Sequence, residues 1–365
     1  MKIGARTLKT GIAITLALAI PHFLNIQGAG VLAAISAIFA LQPSLKRSVR
    51  TLKDRIYGNI IGGTLAIVVN LTLGNHFMFI GLAAIVLIAI LNQFNLSSVI
   101  GQATVTLIVI MMTSDPNFVL AASIRILATL LGVVIAFLVN TLFFPPKYEE
   151  KLYHLIDYTT SEIMKWMRAS VRKNSEYPIL KKDLKWVKSE IDRMDLYFSL
   201  MKDEGTYIRK KNRLQILRKI AVYRQIIQTT KAAYQLTAVI HEHENSFNHF
   251  PEELRIQIRE RLETLLSAHE QILLKFNGRV SPDEVNFIAY KESFRTKFMH
   301  LFFDEANMEV KINKDYTQSN AVIHIMSSIL KYEEYLIHLN TLVTSFKGND
   351  WNPETQIDNI ENIEQ

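Results

Sequence analysis

Six basic residues stand where this sequence could handle negative charge. Lys46, Arg47, Arg50, Lys53 and Arg55 crowd into one short run, and Arg125 sits alone inside an apolar stretch. Guanidinium and ammonium groups at a constriction or in a partly dry interior attract anions and bind their oxygens. Covalent chemistry has less to stand on. The chain has no cysteine, so thiolate nucleophiles, disulfides and Cys-based metal sites are excluded. G-x-x-x-x-G-K, G-x-S-x-G and H-E-x-x-H are absent, and the sequence predicts no enzyme, no catalytic residue and no cofactor. His241, Glu242, His243, Glu244 and His249 invite a metal. They lie where one helix gives way to the next, and the expectation is a polar, solvated turn with no metal site.

The five clustered cations lie between tracts free of Asp, Glu, Lys and Arg from Thr10 to Leu45 and from Ile56 to Ser114. Both tracts are longer than a soluble core helix requires and suit a bilayer. The run between them, Ala40 to Gly63, reads as a cytoplasmic hinge. Whole-chain averages of 49% hydrophobic and 21% charged residues are ordinary, but their distribution is not. Residues 1–146 hold nine Lys and Arg against two acids, Asp54 and Asp115, and so carry the entire net charge of +7. The 32 basic and 32 acidic residues after Pro146 cancel. The excess charge therefore sets membrane orientation, and the basic pI is no argument for nucleic acid.

The expected fold class is all-α: a six-helix transmembrane bundle followed by a cytoplasmic helical bundle. Residues 1–146 form the first domain, 147–348 the second, and 349–365 an acidic, disordered tail. The spans are placed at Leu8–Leu24, Ala29–Gln42, Ile56–Leu73, Phe77–Leu91, Leu96–Thr113 and Phe118–Phe144. The basic start imitates a signal peptide but lacks an A-x-A-like site, and none is expected. Connections at 25–28, 74–76 and 114–117 lack Lys and Arg and fall outside the cell, which leaves both termini cytoplasmic. The uncharged connection at Asn92–Asn95 fits either side.

Small residues recur along these segments: Ala29, Ala33 and Ala37; Gly58 and Gly62, with Gly63 beside them; and Ala128, Gly132 and Ala136. Such stripes let helix backbones approach, within one bundle or between subunits. Arg125 lies about 10 Å in from Phe118 and would cost at least ~2.5 kcal/mol facing lipid. It precedes Gly132 by seven residues, on the same helix face, and either attracts anions or is paired or snorkels to headgroups. Gln102 and Asn140 are candidates to line a path or to join helices. The hinge cations either form a mouth for anions or only set topology.

In the second half, helices are expected at 147–174, 180–204 with a stop at Gly205, 207–242 and 251–276. The fourth carries a seam of Ile258, Leu262, Leu265, His269, Ile272 and Phe276. Ser281-Pro-Asp-Glu284 forms a capping box for a fifth helix. The last repeats Val322, Ile325, Ile329, Tyr332, Leu336, Leu339 and Val343 in three-four alternation, ends at Gly348 and packs within a bundle or across a dimer. The basic run from Lys181 to Lys231, including Arg209, Lys210, Lys211 and Arg213, reads as solvated surface, with binding to anionic headgroups or to an organic acid as alternatives.

Leu41-Gln-Pro-Ser44, the basic run, Arg55-Ile-Tyr-Gly-Asn-Ile-Ile-Gly-Gly63, Arg125 before Gly132, and Asn140-Thr-Leu-Phe-Phe-Pro-Pro146 together resemble the aromatic acid exporter family of the fusaric acid resistance superfamily. The polar half is similar to the helical C-terminal domain of its one-repeat bacterial members. The resemblance implies a multi-pass protein of the bacterial plasma membrane that exports aromatic or other organic carboxylates. It also implies a homodimer, because other members carry two six-helix repeats and plant malate channels pair two subunits. It carries over Gln42, Pro43, Ser44, Arg55, Gly58, Gly62, Gly63, Arg125, Gly132 and Pro145. One departure concerns energy. Such exporters are described as proton-driven, yet no Asp or Glu falls in any expected span, and only His22 and His76 near the outer ends could titrate. An anion leaving a negative-inside cell gains about 2.3 kcal/mol per charge per 100 mV, so a facilitator fits as well. The competing function is a membrane-anchored sensor or scaffold acting through its cytoplasmic helices.

Overall fold

Each described element of the computed structural model is a helix. The structure describes residues 5–26, 29–41, 45–112, 118–142, 147–172, 177–208, 213–281, 296, 298–300, 302–304 and 316–350. They divide into two compact units, Met1–Lys147 and Tyr148–Gln365. Expectations for Gln42–Ser44, 113–117, Pro145–Pro146, 209–212, 282–284 and the tail 351–365 lie outside the described residues.

The first unit holds α1 (Ala5–Phe23), α2 (Ala29–Ala40), α3 (Leu45–Leu73), α4 (Phe77–Gln93), a 3-10 turn at Ser97–Val99, α5 (Ile100–Met111) and α6 (Phe118–Leu142). Three of these helices stop at residues that tolerate a left-handed backbone: Asn25 (φ 55°) after α1, Gly74 (φ 81°) after α3 and Asn95 (φ 56°) after α4. Side-chain contacts fix the helix directions. Lys9, early in α1, meets Asn140, late in α6, which in turn meets Ser48, early in α3. Gly58 and Gly62 of α3 face Val99 and Ala103 in the same order. Thus α1, α3 and α5 run one way and α6 the other, while α2 returns along α1 with Gly30 against Leu18.

Two helices, over Lys46–Leu73 and Ala122–Leu142, are long and apolar enough to cross a membrane. Thr7–Phe23, Ala29–Ala40, Phe77–Gln93 and Ser97–Met111 are shorter apolar helices. The 12 residues of α2 rise only about 18 Å, less than the ~30 Å of hydrocarbon in a typical bilayer.

The expected hinge is corrected. Residues from Leu45 onward are not a loop but the first turns of α3, continuous with the apolar helix to Leu73. Charged residues such as Lys and Arg are good helix formers, and from Leu45, two residues past Pro43, to Tyr57 nothing is a breaker.

The second unit contains α7 (Tyr148–Val171), α8 (Tyr177–Ile208), α9 (Arg213–Glu242), α10 (Glu244–His249), α11 (Glu252–Asn277) and α12 (Tyr316–Asp350). The α7 helix packs on α8, α9 and α11, and α12 packs on α9 and α11. Its seams are as periodic as a water-surrounded bundle demands. Ile258, Leu262, Leu265, His269, Ile272 and Phe276 of α11 are all buried, as are Val322, Ile325, Ile329, Tyr332, Leu336, Leu339 and Val343 of α12. The left-handed Gly278 (φ 78°) closes α11.

Two expected stops do not occur, because α8 runs through Gly205 and α12 through Gly348. An interior glycine costs a helix only about 1 kcal/mol, which packing of the flanking turns readily outweighs. His241 is also not solvated: it is buried at the end of α9, with Nδ1 3.6 Å from Glu244.

Candidate functional site

One face of α3 organises the polar interior of the first unit. Ser48, Arg55, Asn59, Gly62 and Ala66 follow one another at intervals of seven, four, three and four residues, and all are buried. Arg55 and Asn59 are only 8% and 1% exposed. Lys46, Arg47, Arg50 and Lys53 are exposed instead. At about 100° per residue, Arg55 points some 200° away from Lys53, so the five cations separate into an outer four and an inner one. The exposed Arg50 lies 4.0 Å from the half-buried Asp54, one turn along.

Polar contacts climb this face like rungs. Asn140 of α6 donates Nδ2–H to Ser48 Oγ at 2.7 Å, and Lys9 Nζ donates to Asn140 Oδ1 at 3.0 Å. Arg55 donates from Nη1 to the Ser36 carbonyl at 3.3 Å and from Nη2 to the Phe39 carbonyl. Gln102 Nε2 donates to Ser36 Oγ at 3.2 Å, and Thr106 Oγ1 lies 3.1 Å from both Asn59 Oδ1 and the Gln102 carbonyl. Further along α5, Arg125 Nη1 of α6 donates to the Val109 carbonyl at 3.1 Å. Ser48 to Asn59 is a rise of about 17 Å, and Gln102 to Val109 adds roughly 10 Å.

The electrostatics of this interior are one-sided. Arg55 is held by carbonyls at the C-terminal end of α2, where the helix dipole presents roughly half a negative charge. Carbonyl dipoles orient a guanidinium without neutralising it. Asp54, the acid nearest in sequence, faces Arg50. The site therefore offers N–H donors and net positive potential to an anion. Among the described residues, no group of three or more His, Asp or Glu is placed to hold a metal.

Glycines set how closely the rungs approach. A Cβ at Gly132 would come within 2.8 Å of the Ala33 Cα, and at Gly62 within 3.1 Å of the Ala103 carbonyl oxygen. A Cβ at Gly58 would meet Val99 Cγ2 at 2.9 Å, while Gly63 is overlaid by the Ile126 side chain. Arg125 and Gly132 share a face of α6, yet the first meets α5 and the second α2. A shallow apolar groove of about 440 Å³ along Thr7, Gly11 and Thr15 lies on the other side of α1 from Lys9 and is separate from the ladder.

The sequence candidates thus divide. Arg55, Arg125, Gln102 and Asn140 join the ladder, and Lys46, Arg47, Arg50 and Lys53 do not. His22 and His76 are exposed, with His76 against the Phe77 ring at 4.1 Å. Lys9, Ser36, Ser48, Asn59 and Thr106 were missed. Once α3 is read as a helix from Leu45, the seven-four spacing of Ser48, Arg55 and Asn59 was the available signal.

The second unit has its own buried polar groups. Arg261 of α11 pairs with Glu333 of α12, and the fully buried His269 Nδ1 lies 2.9 Å from the Tyr332 hydroxyl. Burial pushes His269 down to about 3 and raises Tyr332. These contacts fasten α11 to α12 and open onto no described cleft.

Residues 1–143 match the family model described as aromatic acid exporter family member 1. The chain is similar to the UPF0421 protein YgaE of Bacillus subtilis (strain 168), 38% identical over 350 residues, covering 95% of this chain and 96% of that protein. It is also 24% identical over 321 residues to the UPF0421 protein OB2406 of Oceanobacillus iheyensis, covering 86% and 88% of the two. A shorter match, 29% over 171 residues, joins it to the UPF0421 protein SSP0904 of Staphylococcus saprophyticus, of which it covers 52%. The exporter domain and the apolar helices point to a membrane protein, and to transport rather than catalysis. With an interior of hydrogen-bonded cations inside an apolar envelope and near end-to-end similarity to a named relative, the chain belongs to the UPF0421 proteins and carries an aromatic acid exporter family domain over residues 1–143.

Proposed function

We propose that the first unit carries aromatic or other organic carboxylate anions out of the cell across the bacterial plasma membrane. The observation that supports this reading best is the ladder itself, which keeps Arg55 and Arg125 inside an apolar unit on carbonyl partners. An anchor has no use for such groups, because each cation within a span costs about 2.5–3.5 kcal/mol. The anchored sensor or scaffold is for that reason the weaker function.

In this proposal the chain crosses the bilayer six times, with both termini cytoplasmic, and acts as a homodimer. Lys46, Arg47, Arg50 and Lys53 concentrate carboxylates at the inner mouth. Arg55 is the first partly dry step, and Arg125 a later one. No acid stands on the ladder among the described residues, and the membrane potential alone moves the anion outward. Purified full-length protein in liposomes tests the function. Carboxylate flux that follows an imposed potential is expected; liposomes no leakier to carboxylates than empty ones overturn the transport reading.

A further inference from the structure

We propose that Arg55 and Asn59 together form the seat for the substrate's carboxylate group. The inference rests on the transport reading above and names the residues that recognise the anion. Arg55 uses both terminal nitrogens on the carbonyls of Ser36 and Phe39, and its Nε–H is buried with no hydrogen-bond partner among the described residues. One turn further along the same face, the Asn59 amide presents its oxygen to Thr106, and its Nδ2–H₂ is likewise buried without a partner.

Buried donors left unpaired are costly, and a ligand that completes them is one way a protein recovers that cost. Residues four apart on a helix emerge about 6 Å from one another, a span that a carboxylate bridging two donors covers. Both side chains are held from behind, Arg55 by the end of α2 and Asn59 by Thr106 of α5. The two donors are thus presented by groups that do not have to reorganise when an anion arrives. The charge balance has the right sign, since a carboxylate meets a guanidinium whose other partners are neutral.

Asn59→Asp is the decisive variant, because it keeps the oxygen that faces Thr106 and replaces the unpaired donor with a carboxylate oxygen one helical turn from Arg55. Benzoate serves as probe and benzamide as its uncharged counterpart. In detergent, benzoate raises the melting temperature of the wild-type chain and benzamide does not. Asn59→Asp melts higher than wild type without ligand, gains nothing from benzoate, and shows a KM for benzoate flux raised at least tenfold. A variant that melts lower and still responds to benzoate overturns the seat.

Arg55→Lys guards against misfolding of the first variant, since it keeps the charge and loses the Nε–H. A tenfold higher KM with Vmax retained is expected, and an unchanged KM overturns the seat. Wild type that conducts carboxylates while both variants keep its KM sinks this inference alone. Wild type that binds benzoate at Asn59 yet conducts nothing sinks the transport reading and leaves the seat.

Discussion

In the first unit Phe23, Phe77 and Leu142 face outward while Lys9, Arg55 and Asn140 are buried. In the second, Leu152, Ile226 and Leu336 fill the core while Lys181, Lys182, Lys185 and Lys188 face outward. The buried arginines sharpen the contrast. Arg261 of the second unit meets a carboxylate, Glu333, whereas Arg55 and the half-buried Arg125 of the first meet backbone carbonyls. In water, apolar burial drives folding, and an interior charge is costly unless an opposite one closes it. In an apolar envelope, burying hydrocarbon gives no such drive, and close contact of small residues and interhelical hydrogen bonds hold the helices instead. An arginine there can remain electrostatically open, which is what an anion needs.

The largest test of this contrast removes Arg261. Arg261→Ala strands Glu333 in the core and is expected to cost the second unit about 3–5 kcal/mol, while the double change Arg261→Met, Glu333→Leu stays within about 1–2 kcal/mol of wild type. Trp166, Trp186 and Trp351 all follow Lys147, so urea unfolding of the full chain followed by tryptophan fluorescence reads the second unit alone. An equal loss in the double variant would mean that the pair does more than satisfy itself.

Next comes the backbone contact of α6 on α2. Gly132→Ala drives a methyl into the Ala33 main chain, which cannot rotate away, and is expected to cost at least ~1–3 kcal/mol in the first unit. The chain has no native cysteine, so one placed at buried Ala13 reports opening of that unit through its rate of thiol labelling. Labelling as slow as in the parent would show that the helices simply move apart.

A smaller effect separates the units by pH. His269 has its folded pKa lowered to about 3 against an ordinary 6.5, so the unfolded chain binds the extra proton first. Its contribution is complete above pH 6.5 and is lost as pH falls toward 3, at about 1.4 kcal/mol per pH unit. Replacing His269 with Gln should flatten the stability profile of the second unit between pH 6.5 and 5 relative to wild type.

The smallest change in stability is expected from neutralising Lys46, Arg47, Arg50 and Lys53 to Gln. Exposed charges contribute little, and each substitution should fall within about 0.5 kcal/mol of wild type. Carboxylate flux should nevertheless drop at low salt and converge on wild type at high salt, where a Debye length of a few ångströms screens the mouth. Salt-independent loss would assign these residues to direct binding.

The legibility of the molecule in its sequence follows from how local each signal is. Residues of the α11 and α12 seams could be named from spacing because a water-surrounded helix must alternate its faces. The exporter resemblance was equally visible, carried by Arg55 through Gly63 and by Arg125 ahead of Gly132. The stops at Gly205 and Gly348 were misread, since a glycine is only a weak breaker and the neighbouring turns decide. Lys9 looked like one of several topogenic charges, and its bond to Asn140, 131 positions away, has no local trace.

By itself the sequence determined that charge is absent from Thr10 to Leu45 and from Ile56 to Ser114, and therefore that this half is apolar and helical. It also determined that the second half is amphipathic. Only the tertiary structure decided which cations are closed and which remain open. Arg55 parts company with Lys53 because α3 begins at Leu45, and it meets Ser36 and Phe39 because Gly132 lets α2 settle against α6. Periodicity assigns a residue to a face, but the partner on that face is chosen by helices that meet far apart in the chain.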